Sequence, residues 1–416
     1  MARIRSLWWG GSTYGTNDDD QIYGSTANDV IYAGEGADYI DTGAGNDVIY
    51  AGLGNDTIWA GDGDDIIYGG ADGGFRPDGW FSTQDDNFID AGAGNDTVYG
   101  GTGADSINAG SGDDVIFSGS GSDTVFGGTG NDIFYDGLGG DAYNGGDGID
   151  TVDYSDSDGV YVNLALGYGA PTSNVQITNV RGDTYTNVEN VTGTNIDADI
   201  LIGDAHRNVL KGLGGNDTIR GGAGGDTLDG GGGKDTLDYS TSGAGVSIFL
   251  NSGIAAGGDA QGDVISNFEN VDGSQFRDQL IGSSERNVLN GYGDSDELYG
   301  LGDNDTLNGG DGADHLFGGQ GRDRLTGGMG SDELTGGTES DTFVFVQRLD
   351  GNDRILDFGR DDFVEFHVND PDVARANLVF HEIDDGFTAS FSDGGGTITF
   401  VHADYHDYSM SQFLFL

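Results

Sequence analysis

Cysteine is absent from the 416 residues, proline occurs three times, and lysine and arginine together number 16 against 72 acidic residues. Each shortage excludes something. Without cysteine there are no disulfides and no thiolate metal sites. A net charge of -56 excludes an electrostatic nucleic-acid binder and argues against docking on anionic lipid. No apolar run reaches transmembrane length, so no membrane insertion is expected. The opening MARIRSLWWGG lacks the apolar stretch of a cleavable signal peptide, so a secreted chain would need another export route. Catalytic phrases are also missing: no G-x-S-x-G, no H-E-x-x-H, no Walker loop. Only about fourteen residues precede the first repeat, too few for a catalytic domain, and the expectation is that the chain is not an enzyme.

What is abundant is glycine, 81 residues without the period of three of collagen, and aspartate, since only nine of the 72 acids are glutamate. Both fall on a period of nine. TGAGNDVIY at 42–50 runs directly into AGLGNDTIW at 51–59. The register is marked by Asp20, Asp29, Asp38, Asp47, Asp56 and Asp65. After an insertion at 71–86 it resumes at Asn87, Asp96, Asp105, Asp114, Asp123, Asp132, Asp141 and Asp150. Two further runs read Asp199, Asn208, Asp217, Asp226, Asp235 and Asp278, Asn287, Asp296, Asp305, Asp314, Asp323, Asp332, Asp341.

The unit has a physical reading. In its strict form glycine stands four and two before the aspartate, as in Gly43, Gly45 and Asp47, and sixteen repeats meet that test. Glycine permits positive φ, which turns carbonyls toward a common centre, and aspartate holds a carboxylate close enough to share a hard cation with them. Two residues on comes an apolar side chain, Ile49, Ile58 and Ile67 or Leu307, Leu316 and Leu325, which a three-residue strand points inward.

The period organises the chain. A lead at 1–14 precedes a first array at 15–153. A spacer at 154–193, a second array at 194–238, a second spacer at 239–272 and a third array at 273–345 follow, and residues 346–416 form a β-rich cap. Each array opens with two turns lacking the glycine pattern, as capping repeats of a stack do. DTVDYS at 150–155 matches DTLDYS at 235–240, and NVENVTG at 187–193 matches NFENVDG at 267–273, so the spacers are related and are expected to prolong or cap the roll.

On these residues the chain resembles RTX calcium-binding proteins over roughly 15–345, and its C-terminal part looks like the cap that follows RTX arrays in secreted proteases and lipases. The resemblance implies an all-β fold, a right-handed parallel β-roll in three stacked arrays with calcium in rows between turns two repeats apart. It also implies an extracellular or cell-surface protein, exported by type I secretion on an uncleaved C-terminal signal. Carried over by position, the metal-ligating residues are Asp38, Asp47, Asp56, Asp65, Asp96, Asp105, Asp114, Asp123, Asp132, Asp141, Asp150, Asp217, Asp226, Asp235, Asp296, Asp305, Asp314, Asp323, Asp332 and Asp341. They would hold about a dozen calcium ions, offsetting roughly 24 of the negative charges. Asn87, Asn208 and Asn287 depart from the pattern, as does Gln412, where family tails often carry an acid.

Alternate repeats of a two-strand roll face opposite ways, so outward residues sort by parity. One set of the first array presents Tyr32, Tyr50, Tyr68, Tyr99, Phe117 and Tyr135, provided the insertion leaves parity unchanged. Stacked at about 4.8 Å, six rings form a ladder, and an exposed apolar strip of that size marks an interface. Homo-oligomeric or polymeric assembly in an extracellular layer, filament or matrix is the leading expectation. Binding of a surface polysaccharide through the aromatic rows is the alternative. Phe75, Arg76, Pro77, Trp80 and Phe81 in the insertion offer a second contact. No rank of threonines supports ice binding, and His402 and His406, four apart in a strand-like segment, lack an evident third ligand for a transition metal.

Overall fold

The computed structural model describes residues 3–6, 9–70, 85–171, 182–346, 351–368, 374–375, 377–392 and 396–416; the aromatic residues of the insertion lie outside them. The chain is a parallel β-roll that divides into two compact units. One holds residues 1–204 and 208–215, the other 205–207 and 216–416.

In the uninterrupted repeats of the first unit each strand pairs in parallel with the strand 18 residues away. Val30, Ile31 and Tyr32 lie beside Val48, Ile49 and Tyr50, while Tyr39, Ile40 and Asp41 lie beside Thr57, Ile58 and Trp59. Two ladders therefore alternate along the chain and face each other across one narrow core. Its main file is one large aliphatic residue per strand: Ile22, Ile31, Ile40, Ile49, Ile58, Ile67, Ile89 and Val98 are all fully buried, with Ala33, Ala51, Ala60 and Ala91 buried beside them. The insertion keeps parity, since Tyr68 pairs with Tyr99 and Trp59 with Asp90. The lead contributes strands too. Arg3–Arg5 pairs with Gln21–Tyr23, and Gly11–Tyr14 pairs with Asp29–Glu35.

The spacers carry the ladders onward. Thr184–Thr186 lies beside Ala142–Asp147, and Asn190–Thr192 beside Thr151–Asp153. Each spacer also folds back once, Val160–Asn163 against Tyr168–Pro171 in one and Ser247–Phe249 against Ile254–Ala256 in the other, both antiparallel.

In the second unit the aliphatic file is leucine, with Leu289, Leu298, Leu307, Leu316, Leu325 and Leu334 fully buried. The ladder then runs on through Thr342–Val346, Phe363–His367 and Phe413–Phe415 in parallel succession, where a core of phenylalanines replaces leucine. Phe387 and Phe400 stack at 4.3 Å, and Phe358 meets Phe400 edge-on. The cap thus closes the end of the file with wider side chains. Gln412 serves it as a donor: its Nε2 gives hydrogen bonds to the carbonyls of Arg360 (3.1 Å) and Asp362 (3.0 Å), which a carboxylate could not do. Among the described residues no helix is long and apolar enough to cross a membrane.

Candidate calcium turns and an exposed aromatic ladder

The glycines of the turns are required by how closely the turns stack. A Cβ at Gly52 would lie 1.9 Å from the carbonyl oxygen of Gly34, and one at Gly61 would lie 1.7 Å from that of Gly43. Both glycines have positive φ, 111° and 109°. Past the opening turns, where the pattern carries another residue, the backbone still turns left-handed, at Leu213, Tyr292, Asp294, Leu301, Asp303 and Glu339 with φ between 65° and 86°. The looser turns therefore share the geometry, at some conformational cost.

Each turn aspartate divides its two oxygens between two jobs. Along the runs Oδ1 accepts the N–H of the file residue one coil earlier, though Oδ1 of Asp29 is buried without a partner and those of Asp199 and Asp278 accept from Val160 and Val246. In the first unit one file runs from Asp20 N–H to Asp38 (2.7 Å), then through Asp56, Asn87, Asp105, Asp123 and Asp141 to Asp183. The other runs from Asp29 through Asp47, Asp65, Asp96, Asp114, Asp132 and Asp150 to Glu189. In the second unit the corresponding acids include Asp263, Glu269, Asp353 and Asp362, none of which the nine-residue count contains.

Oδ2 is the oxygen left over. In Asp38, Asp47, Asp56, Asp65, Asp96, Asp105, Asp114, Asp123, Asp132, Asp150, Asp235, Asp296, Asp305, Asp314 and Asp323 it is buried and has no hydrogen-bond partner. Burial, partly opposed by the backbone hydrogen bond to Oδ1, raises these carboxyls: Asp56, Asp123 and Asp296 to about 8, and Asp65, Asp105, Asp114, Asp305 and Asp314 to about 7. A file of buried anionic oxygens beside turn carbonyls suits a hard divalent cation that takes six to eight oxygens. The donor set fits calcium, and these aspartates with their turn carbonyls would hold it. Asp141, Asp217, Asp226, Asp332 and Asp341, the remaining acids carried over by position, occupy the same files and are likewise buried. Oδ2 of Asp141 receives a hydrogen bond from the Tyr143 hydroxyl.

The opening turns are built differently. There a serine or threonine four or five residues before the turn acid satisfies the carboxylate itself. Thr16 donates its N–H and Oγ1–H to Asp20 Oδ2, both at 2.8 Å, and Ser25 does the same to Asp29. Thr194 and Ser274 serve Asp199 and Asp278. Asn208 and Asn287 go further, with Nδ2 donating to the carbonyls of Glu189 and Glu269, both at 2.7 Å, so that an amide hydrogen stands where a cation would face a carbonyl. Asn87 keeps the Oδ1 role, accepting from Asp56 N–H at 2.9 Å.

This contrast gives a measurable difference. Asp123→Ala should raise the calcium midpoint for folding several-fold, because it removes a charged ligand from a run of glycine turns. Asp278→Ala should leave that midpoint near the parent's. It should instead lower stability at saturating calcium by about 1–3 kcal/mol, because Ser274 and Val246 lose their buried acceptor. Calcium titrations followed by circular dichroism decide it, and equal midpoint shifts would overturn the distinction between the turn types.

The outward aromatics form one continuous stack. Tyr32, Tyr50, Tyr68, Tyr99, Phe117 and Tyr135 are joined at their end by Tyr14. Successive ring centroids are 4.5–5.1 Å apart and no pair is tilted by more than 7°. Tyr14 is 66% exposed, Tyr32 40% and Tyr50 38%, and the remaining four are half-buried. The opposite ladder has no such order: Tyr23 and Tyr39 are tilted by 49°, and Trp59 and Phe88 by 47°. The histidine pair of the cap does not converge. His402 Nδ1 meets Asp385 at 2.6 Å, whereas His406 Nε2 meets Glu382 at 3.1 Å.

Comparison with known proteins adds a family. The family described as RTX calcium-binding nonapeptide repeat (4 copies) matches residues 14–49, 41–75, 81–116, 117–152, 197–237, 272–307 and 308–343, more than half of the chain. No curated protein matches by sequence. Among solved structures, the extracellular lipase LipA from Serratia marcescens is similar at 18% identity with a TM-score of 0.18. That match covers 56% of this chain and 44% of the lipase chain, so the chain spans less than half of that protein.

Proposed function

The chain belongs to the RTX calcium-binding nonapeptide repeat family, and from that premise we propose that this calcium-binding β-roll is a secreted, non-enzymatic protein with a structural role, whose copies associate through the aromatic ladder. The observation that carries the reading is the stack itself. Seven coplanar rings at 4.5–5.1 Å make a flat apolar strip about 29 Å long, exposed at its Tyr14 end. Stiffening the roll would not require exposure, and the opposite ladder manages without coplanar order. A strip of fixed spacing is matched best by another of the same spacing, which makes a second copy the natural partner. At a net charge of -56 two copies repel, so association follows calcium loading, which is abundant outside cells and scarce within. The glycine turns load; the serine and threonine turns, already satisfied, do not.

Replacing Tyr50, Tyr68 and Tyr99 by Ser deletes three adjacent rungs and leaves every turn acid and inward aliphatic in place. The variant should fold with calcium yet sediment as a monomer where the parent forms larger species. Equal monomeric behaviour of both proteins would overturn assembly. Loss of a polysaccharide's binding, with unchanged mass for both, would assign the strip to a glycan instead.

A further inference from the structure

The turn that ends at Asp141 differs from its neighbours in the residue that leads into it. Five residues before the turn acid the flanking repeats carry Ala109, Ser118, Gly127 and Gly145, whereas this one carries Asp136. The position looks at the turn's own carboxylate from inside the roll: a Cβ at Gly127 would lie 2.2 Å from Asp132 Oδ2, and one at Gly145 would lie 2.2 Å from Asp150 Oδ2. A second carboxylate is therefore set against the first. A third arrives from the spacer, because Asp183 stacks on Asp141 and accepts its N–H at 2.8 Å.

We propose that Asp136, Asp141 and Asp183 hold one divalent cation, with calcium as the ion to test, in the interior of the roll and separate from the ions between turns. One ligand oxygen from each of the three lies within 4.8 Å of the other two. Opposite ligands on a calcium ion at 2.3–2.6 Å are about 4.6–5.2 Å apart, so the three oxygens fit on one coordination sphere. Asp136 Oδ2 is shut off from solvent and has no hydrogen-bond partner, while its Oδ1 accepts from Tyr143 beside Asp141. Among the described residues no arginine or lysine forms an ion pair with any of the three.

The surrounding hydroxyls do not supply enough protons to take the cation's place. The buried Tyr143 hydroxyl lies 3.0 Å from Asp136 Oδ1, 3.3 Å from Asp141 Oδ2 and 3.2 Å from Ser118 Oγ, and it has one hydrogen to give. Tyr154 reaches Asp183 Oδ2 at 3.2 Å and is hydrogen-bonded to the Tyr185 hydroxyl. Such phenol oxygens are neutral ligands that could complete an oxygen sphere around a hard ion.

The test counts ions. Asp136→Asn and Asp136→Gly, the latter restoring the residue of neighbouring turns, are compared with the full-length parent by native mass spectrometry in calcium. Each folded variant should hold one calcium fewer than the parent. The parent's terbium luminescence, excited through tyrosine, should fall in both variants, because three tyrosines surround the site. Folded variants that hold as many ions as the parent would overturn the proposal and leave shared protons as the counter-charge. If neither variant folds, crystals of the parent grown in calcium decide: an anomalous peak within about 2.6 Å of Asp136 Oδ2 supports the site, and its absence removes it. The outcome is independent of assembly through the ladder.

Discussion

Placed in chelator at pH 8, the chain should lose its strand-rich circular dichroism spectrum, and it should regain it in about 0.1–1 mM calcium, the range of extracellular modules. Fifteen turn aspartates keep a buried oxygen with no partner, and a buried unpaired carboxylate is costly. Since the sites do not exist in the unfolded chain, the free energy of metal binding is folding free energy. The sign of the pH dependence follows from the same carboxyls. Their folded values, about 7 to 8 at Asp56, Asp65, Asp114 and Asp123, lie above the ordinary 3.8. Between pH 4 and 8 the folded state therefore binds more protons than the unfolded one, and stability without calcium falls as pH rises through that window. Acidifying the chelated protein from pH 8 to 5 should restore strand signal, while the calcium midpoint at pH 5 should be higher than at pH 8 because protons and calcium compete. A folded spectrum in chelator at pH 8 would overturn the dependence.

The second large effect is expected from one added methyl group. Gly128→Ala should destabilise the calcium-loaded protein by about 3–5 kcal/mol, near the upper limit for a single change. Its φ of 112° is one an alanine rarely adopts, and the new Cβ would lie 1.9 Å from the carbonyl oxygen of Gly110. Moving that carbonyl disturbs the next coil too, since a Cβ at Gly110 would in turn be 1.9 Å from Gly92. Gly243→Ala is the control, with nothing within 4 Å of its Cβ. Denaturant midpoints at saturating calcium measure both, and equal midpoints would show that the turns can part at little cost.

Much of this was readable from the period. The aspartates that line the files and the residues two further on that fill the core follow from counting nines, because turn and strand occupy one unit. Parity across the insertion was an assumption, and the pairing of Tyr68 with Tyr99 bears it out. What escaped were acids at other spacings. Asp183, Asp263, Asp353 and Asp362 stand 42, 37, 21 and 21 residues after the N–H they serve, so no fixed count finds them. A local signal was present: each is followed two residues later by Tyr185, Ile265, Ile355 or Val364, all buried, as in every ordinary repeat. Tyr14 escaped because it precedes the first turn acid. The opening turns stood apart in the sequence by their missing glycines, but that they satisfy their own carboxylates was hidden, since it depends on where a serine's N–H and hydroxyl point.

The files of aspartates run one way only. Within a file the paired aspartate Oδ1 atoms serve the buried N–H of the coil before, while exposed acids one residue earlier, such as Asp64 and Asp113, serve the coil after, so the two ends of a shortened roll are unlike. Cutting away N-terminal coils exposes carboxylate oxygens that water solvates readily. Cutting away C-terminal coils strips the acceptor from a buried N–H, which the last turn cannot supply for itself. In the second unit Asp353 and Asp362 provide that last acceptor for Asp332 and Asp341 from within the phenylalanine-filled cap. The cap is in this sense the template on which the adjoining turns are completed, and order should spread from it toward the N-terminus.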